Sequence, residues 1–273
     1  MKAALIQMNS ISDRAANLTR AESLIEAAIA KDHPDWICLP EVFDFMGGTR
    51  EDKFAAAAPF PDSPAYQMMR DLARKHHIFI HAGSMLEKRP HEDRLRNTSI
   101  AFNAQGEEVA RYSKIHLFDI TAPNGQAYRE SSTFAAGHDV VTYDCAGLTI
   151  GCAICYDLRF PSLFQALMDK GAQMIALPAA FTLQTGKDHW HVLCRARAIE
   201  TETFFCAAAQ TGSFLHQGEE RHTYGHSLIV DPWGRVLADG DIAEGHVCAE
   251  IDVAEVKRVR AMIPVAAHKV DLR

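Results

Sequence analysis

No apolar run in the sequence is long. Stretches such as LTIGCAIC fall well short of the roughly 18 residues that cross a bilayer, so no membrane-spanning helix is expected. A basic run is also missing: 28 Lys and Arg stand against 35 Asp and Glu, a formal net charge of −7. That balance disfavours tracking a nucleic-acid backbone, and the expected partner is a small molecule. The opening MKAALIQMN lacks the apolar core and cleavage site of a secretory leader, polar residues entering from Gln7, and a cytoplasmic location is expected. There is no internal repeat, low-complexity segment or linker, and no HExxH pair of zinc-binding histidines. With 48% hydrophobic and 23% charged residues, the composition excludes wholesale disorder, a collagen-like repeat and a coiled-coil rod. One domain over residues 1–273 is expected. Cysteines are present in an odd number, seven, at positions 38, 145, 152, 155, 194, 206 and 248, mostly among apolar neighbours. This usage predicts free thiols in a reducing compartment, one of them a candidate reactive group.

Strands and helices alternate early in the chain. KAALIQM predicts a buried strand, and Asp13 is placed to cap a helix through Leu18, Ala21, Leu24, Ile25, Ala28 and Ile29. The strand DWICLP ends at Glu41, Ser63-Pro64 opens a helix through Tyr66, Met69, Leu72 and Ala73, and HIFIHAGSM predicts the next strand. TSIAFNA and EEVARYS predict a hairpin turning at Gln105-Gly106, and the stretch 115–138 reads as a long irregular loop. DVVTYD and LTIGCAIC precede a helix from Pro161, after which AQMIALPAA predicts a parallel-type buried strand. A helix over 187–201, the strand TFFCAAA, the short strands HSLIVD, RVLAD and HVCAEID, and a helix over 253–262 complete the pattern. Together these elements predict two mixed sheets covered by helices, a layered α/β sandwich.

Three segments could carry chemistry. In Gly151-Cys-Ala-Ile-Cys155-Tyr156-Asp157-Leu158-Arg159-Phe160-Pro161 an apolar strand stops at a cysteine and a helix follows. A nucleophile at such a turn is exposed beside backbone N–H groups, and a helix N-terminus would lower the thiol pKa. Taken alone, a cysteine in an apolar strand is structural more often than catalytic, and other residues must decide. Leu39-Pro40-Glu41 puts a carboxylate at a strand end, where α/β layers build sites, and Tyr112-Ser113-Lys114 puts an ammonium at the mouth of the long loop. A solvated surface role is the alternative for each.

Taken together, the segments LPE, SKIHLFD, GxxxCYDLRFP, His189-Trp190, RARAIE and YGHS…DPWG resemble the nitrilase superfamily of carbon–nitrogen hydrolases over essentially the whole chain. The resemblance implies a four-layer α-β-β-α sandwich and a Glu–Lys–Cys triad of Glu41, Lys114 and Cys155. It also implies a supporting Glu130, an oxyanion contact from the Tyr156 backbone N–H, and substrate contacts from Arg159, Phe181 and Thr185. An arginine suits bidentate carboxylate recognition, with a structural salt bridge as the competing role for Arg159. No cofactor or metal is implied, and homodimers or larger homo-oligomers are.

Within the superfamily the sequence is most similar to the branch of deaminated-glutathione amidase and ω-amidase. The expected reaction is hydrolysis of a terminal carboxamide on a small carboxylate-bearing metabolite, releasing ammonia through a Cys155 thioester. An N-carbamoyl amidase is a further alternative, whereas Cys155-Tyr156-Asp157 departs from the Cys-Trp-Glu of true nitrilases. From a different class, Cys152 and Cys155 form a C-x-x-C that could serve redox or metal binding, although the two lie on a strand end where side chains alternate. A non-enzymatic binding protein on the same fold is disfavoured by the intact triad. The loops 120–130 and 213–223 depart from relatives and are expected to border the substrate entrance.

Overall fold

Six core strands, three from each of two sheets, run parallel with both faces covered, which is why their sequences are almost continuously apolar. In the computed structural model, which describes residues 1–122, 125 and 127–270, the first sheet has the order Gly245–Glu250, Lys2–Gln7, Trp36–Cys38, Phe79–His81, Arg96–Phe102, Met85–Glu87. Glu108–Ser113 also pairs with Arg96–Phe102. The second sheet has the order Val236–Asp239, Leu228–Val230, Phe204–Ala207, Met174–Ala176, Leu148–Cys152, Thr142–Cys145. Parallel pairs at the centre and antiparallel pairs outside make both sheets mixed, as expected.

Alternation along the strands builds the layers. Ala4, Ile6, Ile37, Leu39 and Ile80 pack on Ala21, Leu24, Ile25 and Ala28 of the helix Arg14–Asp32 and on Tyr66, Met69 and Leu72 of Pro64–His76. Their neighbours Ala3, Leu5, Trp36 and Cys38 turn the other way and join Ile150, Cys152, Ala176 and Cys206 between the sheets. On the outer face of the second sheet, Phe205 meets Phe164 of the helix Pro161–Asp169, with ring centroids 5.8 Å apart. Gly151 lies on that face too, where a Cβ would stand 2.8 Å from Ile175 Cδ1 and 3.1 Å from Leu167 Cδ2, so a larger residue would have to displace those methyl groups. The order is helix, sheet, sheet, helix, the four-layer sandwich implied by the resemblance.

Helix starts follow their signals with two exceptions. Asp13 accepts the Ala16 N–H at 3.1 Å, and Asp252 caps Val253–Met262. Ser63, by contrast, makes no capping bond; its hydroxyl is buried without a partner, and Pro64 alone marks the start. The helix expected from 187 begins at Leu183, because Thr182 caps it. HIFIHAGSM is two strands, Phe79–His81 and Met85–Glu87, broken where Gly83 takes φ 50° and packs where a Cβ would lie 2.2 Å from Pro40 O.

The stretch 115–138 is not irregular throughout. It holds the hairpin Asp119–Thr121 with Ala127–Arg129 and the 3₁₀ turn Glu130–Ser132. Of the loop at 120–130, Pro123, Asn124 and Gln126 lie outside the described residues. The segment 213–223 contains a second hairpin, Ser213–His216 with Glu219–His222. Among the described residues no helix is long and apolar enough to cross a membrane.

Candidate active site

Both core sheets end their parallel strands at one cavity of about 410 Å³, the position where α/β layers place sites. Glu41 follows the strand Trp36–Cys38, and Cys155 follows Leu148–Cys152 and opens the 3₁₀ turn Cys155–Arg159. The backbone is strained at both places: Val42 has φ 46° and Cys155 φ 45°, a left-handed conformation that non-glycine residues seldom adopt. Packing holds Val42 there, its N–H bonded to Ser84 Oγ at 2.9 Å, while the Cys155 N–H is bonded to Pro178 O at 2.9 Å.

The expected triad residues come together. Lys114 Nζ donates to Glu41 Oε1 at 2.8 Å and to Glu130 Oε2 and Oε1 at 2.9 and 3.0 Å. Glu130 also accepts the Phe118 N–H at 2.6 Å. The Cys155 thiol lies against the Glu41 carboxyl and the Ala180 backbone. Burial works against the Lys114 charge, yet Glu130 and Glu41 outweigh it and hold the ammonium well above its ordinary pKa. Glu130 is pushed up by burial and by Glu41, with Lys114 opposing.

The thiol corrects the sequence expectation of a lowered pKa. Burial and the adjacent Glu41 carboxylate push Cys155 well above its ordinary value, with Lys114 opposing. The reason is positional: the helix that would supply a dipole starts at Pro161, and a 3₁₀ turn separates it from the thiol.

The remaining expected residues line the same cavity. Asp157 O and Ile154 O engage the peptide groups around it, with Asp157 N–H on Ile154 O at 3.0 Å; the Tyr156 N–H between them has no acceptor among the described residues. Arg159 makes no ion pair with a carboxylate among the described residues. Its guanidinium lies 5.4 Å over the Phe181 ring and 3.2 Å from His189 Nδ1. The structural salt bridge weighed for Arg159 is therefore not formed. Thr185 lies in the first turn of Leu183–Thr201, its hydroxyl 2.9 Å from that of Thr182.

Other site residues had no recognisable sequence signal. Asn97, inside a strand, donates to Glu41 Oε1 at 2.9 Å and to Glu130 Oε1 at 3.4 Å. Gln210 donates to Glu41 O at 2.9 Å and to Ser10 Oγ at 2.7 Å. Asp157, read only as part of a motif, is fully buried and accepts from Tyr112 OH at 2.7 Å, Ile154 N at 2.9 Å and His116 N at 3.0 Å, tying the cysteine turn to the lysine loop. Cys152 points away from the cavity into the inter-sheet core near Cys38, so the C-x-x-C does not converge. His189 and His191 also diverge, His191 Nε2 lying 3.0 Å from Asp239. Among the described residues two groups could hold a metal ion, His191 with His226 and Asp239, and Asp32 with His246 and Cys248. Neither lines the cavity.

A carbon–nitrogen hydrolase family model matches residues 2–261, and the chain belongs to that family, within the nitrilase superfamily of enzymes with an active-site cysteine. Among particular proteins, it is 39% identical to a deaminated glutathione amidase of Synechocystis over 98% of this chain and 97% of that one. It is 35% identical to an ω-amidase of Saccharomyces cerevisiae, covering 98% and 93% of the two chains. The crystal structure of the Caenorhabditis elegans NitFhit protein shares the fold with a TM-score of 0.89 at 37% identity, over 98% of this chain and 64% of that longer one.

Proposed function

We propose that this protein is an amidase that acts on a small carboxylate-bearing amide, with Cys155 as nucleophile, Glu41 as general base and acid, and Lys114 as the electrostatic stabiliser. The observation that carries this reading is the buried Glu41–Lys114–Glu130 array placed against the Cys155 thiol. A neutral thiol beside a carboxylate needs its proton removed as it attacks. Glu41 takes that proton while Sγ bonds to the amide carbon, and the oxyanion forms against the Lys114 ammonium and the Tyr156 N–H. When the C–N bond breaks, Glu41 returns the proton to the departing nitrogen, leaving an acyl thioester on Cys155. Glu41 then deprotonates a water that attacks the thioester, and the carboxylic acid leaves as the thiol is regenerated. Glu130 and Asn97 keep Lys114 and Glu41 in register.

Action on a deaminated-glutathione-type amide is the preferred finer reading, supported by the Synechocystis relative and by an Arg159 guanidinium that has no carboxylate partner among the described residues. The yeast relative favours the second reading, an ω-amidase acting on α-ketoglutaramate-type amides. Assembly into homodimers and a cytoplasmic location belong to the same proposal; exposed Val192 and Ile199 and seven free thiols suit them.

The test is a panel of deaminated glutathione, α-ketoglutaramate and ureidopropionate, with released amine or ammonia as readout, on wild type and Cys155→Ala. Turnover should vanish in the variant while its circular dichroism and melting stay near wild type. Near-normal release by Cys155→Ala would end the proposal, and best activity on the ureido compound would replace the amide reading with a carbamoyl one.

A further inference from the structure

Two histidines and an aspartate meet outside the cavity: His191 on the helix Leu183–Thr201, His226 just before the strand Leu228–Val230, and Asp239 at the end of the strand Val236–Asp239. One carboxylate joins both rings, with His191 Nε2 3.0 Å from Asp239 Oδ2 and His226 Nδ1 2.9 Å from Asp239 Oδ1. These ligand atoms all lie within 4.8 Å of one another. His226 is fixed on both sides of its left-handed backbone, φ 55°: its N–H donates to Asp241 O at 2.6 Å and its carbonyl accepts the Trp190 Nε1–H at 2.7 Å. Tyr224 stacks on its ring, with centroids 4.5 Å apart and planes at 26°. Asp239 is oriented as well, Oδ1 accepting the Asp241 N–H at 2.9 Å.

The charge around this cluster suits a cation. No Lys or Arg pairs with Asp239 among the described residues, and a second carboxylate, Asp241, stands 3.9 Å from His226 Nε2. The group of Asp32, His246 and Cys248 is less suited, because the charges of Lys2 and Lys31 act on Asp32 and Cys248, and Lys2 Nζ donates to Asp32 O at 2.8 Å. A tetrahedral ion with ligands at about 2.0–2.2 Å spaces them about 3.4 Å apart, so the observed N···O separations need open by only about half an ångström. A neutral imidazole ligates through one nitrogen and keeps its proton on the other. In His226 that other nitrogen is Nε2, which faces Asp241, the carboxylate behind a metal-bound histidine that commonly orients the ring.

We propose that His191, His226 and Asp239 form a site for a divalent transition-metal ion of the zinc type, with water completing its shell, that clamps the helix Leu183–Thr201 and the strand Val236–Asp239 to the segment 223–226. Two imidazoles and a carboxylate suit zinc, nickel or copper(II), whereas magnesium and calcium take oxygen ligands. The clamp steadies one wall of the cavity, since Thr223 lines it and the Tyr224 N–H donates to Phe181 O at 3.0 Å. It takes no part in the amide chemistry proposed above.

The test titrates the chelator-stripped whole chain with Co2+, followed by visible absorption, and then displaces the cobalt with Zn2+. Wild type should take up Co2+ with d–d bands and no thiolate-to-cobalt charge-transfer band, because the site holds no sulfur. His191→Ala and Asp239→Asn should each weaken binding by about tenfold or more, with circular dichroism unchanged. Saturating Zn2+ should raise the melting temperature of wild type and leave that of His191→Ala unmoved. Uptake seen only with a thiolate charge-transfer band would put the ion at Cys155 or Cys248 and overturn the proposal. Absence of Co2+ binding, or equal affinity in wild type and both variants, would overturn it too.

Discussion

Lys114 is the residue on which the site's charge balance turns, because two buried carboxylates share its ammonium. Removing one partner of such an array leaves uncompensated charge, so Lys114→Met should lose both rate and stability. The rate effect is expected at about 10²–10³ in kcat, the usual cost of losing one oxyanion donor. Adding Glu130→Gln should recover much of the stability and none of the rate, which separates the two roles; recovery of rate in the double variant would show that Lys114 acts only as a counter-ion. Glu41, Lys114 and Cys155 were legible in the sequence because each stands just after a strand within a distinctive motif, and the three motifs occur together. Asn97 was not, since its strand pattern says only that it sits in a sheet, and its contact with Glu41 exists only after folding. The thiol pKa was misread for a related reason: local sequence shows a helix nearby but not the carboxylate that tertiary packing sets beside the sulfur.

Between the sheets a polar chain crosses an otherwise apolar layer. Trp36 Nε1–H donates to Tyr143 OH at 2.9 Å, Tyr143 lies 3.2 Å from His81 Nδ1, and His81 Nε2 lies 2.8 Å from Ser99 Oγ, which donates to Gly83 O. This order of donors suits a neutral imidazole, and burial pushes the His81 pKa down to about 3. As pH falls through the unfolded value near 6.5, the unfolded chain takes a proton that the folded chain refuses, so stability present above that pH is lost below it. Between pH 7 and 5 the loss is about 2 kcal/mol. Asp44, raised to about 6 by burial, works with the opposite sign in the same window and flattens the wild-type curve. The stability difference between wild type and His81→Gln, from urea unfolding, should therefore shrink by about 2 kcal/mol from pH 7 to pH 5; parallel curves would show that the folded chain takes up the His81 proton as readily as the unfolded one. Strands of this core could be read from their apolar runs. The hairpins at 119–129 and 213–222 could not, because short polar strands lack the alternation that marks a half-buried ribbon and are held by the cavity they border.

The whole molecule closes through contacts that no local pattern announces: Gly245–Glu250 returns to pair with Lys2–Gln7 in register from Lys2 with Glu250 to Gln7 with Gly245. Layering itself could be anticipated, since strands covered on both faces require helices outside and a second sheet within. The same reasoning extends to the outer surface of Leu183–Thr201. Val192 and Ile199 stand seven residues apart on one helical face and are 67% and 48% exposed, and Ile199 abuts the turn carrying Trp233, itself 38% exposed. The homodimer proposed above would bury these exposed side chains. A twofold arrangement would lay this face against its own copy, each side chain covering its mate. Val192→Glu with Ile199→Glu places two charges on each side of that contact. Light scattering should then give a dimer mass for wild type and a monomer mass for the double variant, with the melting temperature of the monomer lowered by lost burial at the interface. A wild-type monomer, or a dimer that survives both glutamates, would move the assembly surface elsewhere and leave this face to be explained by another partner.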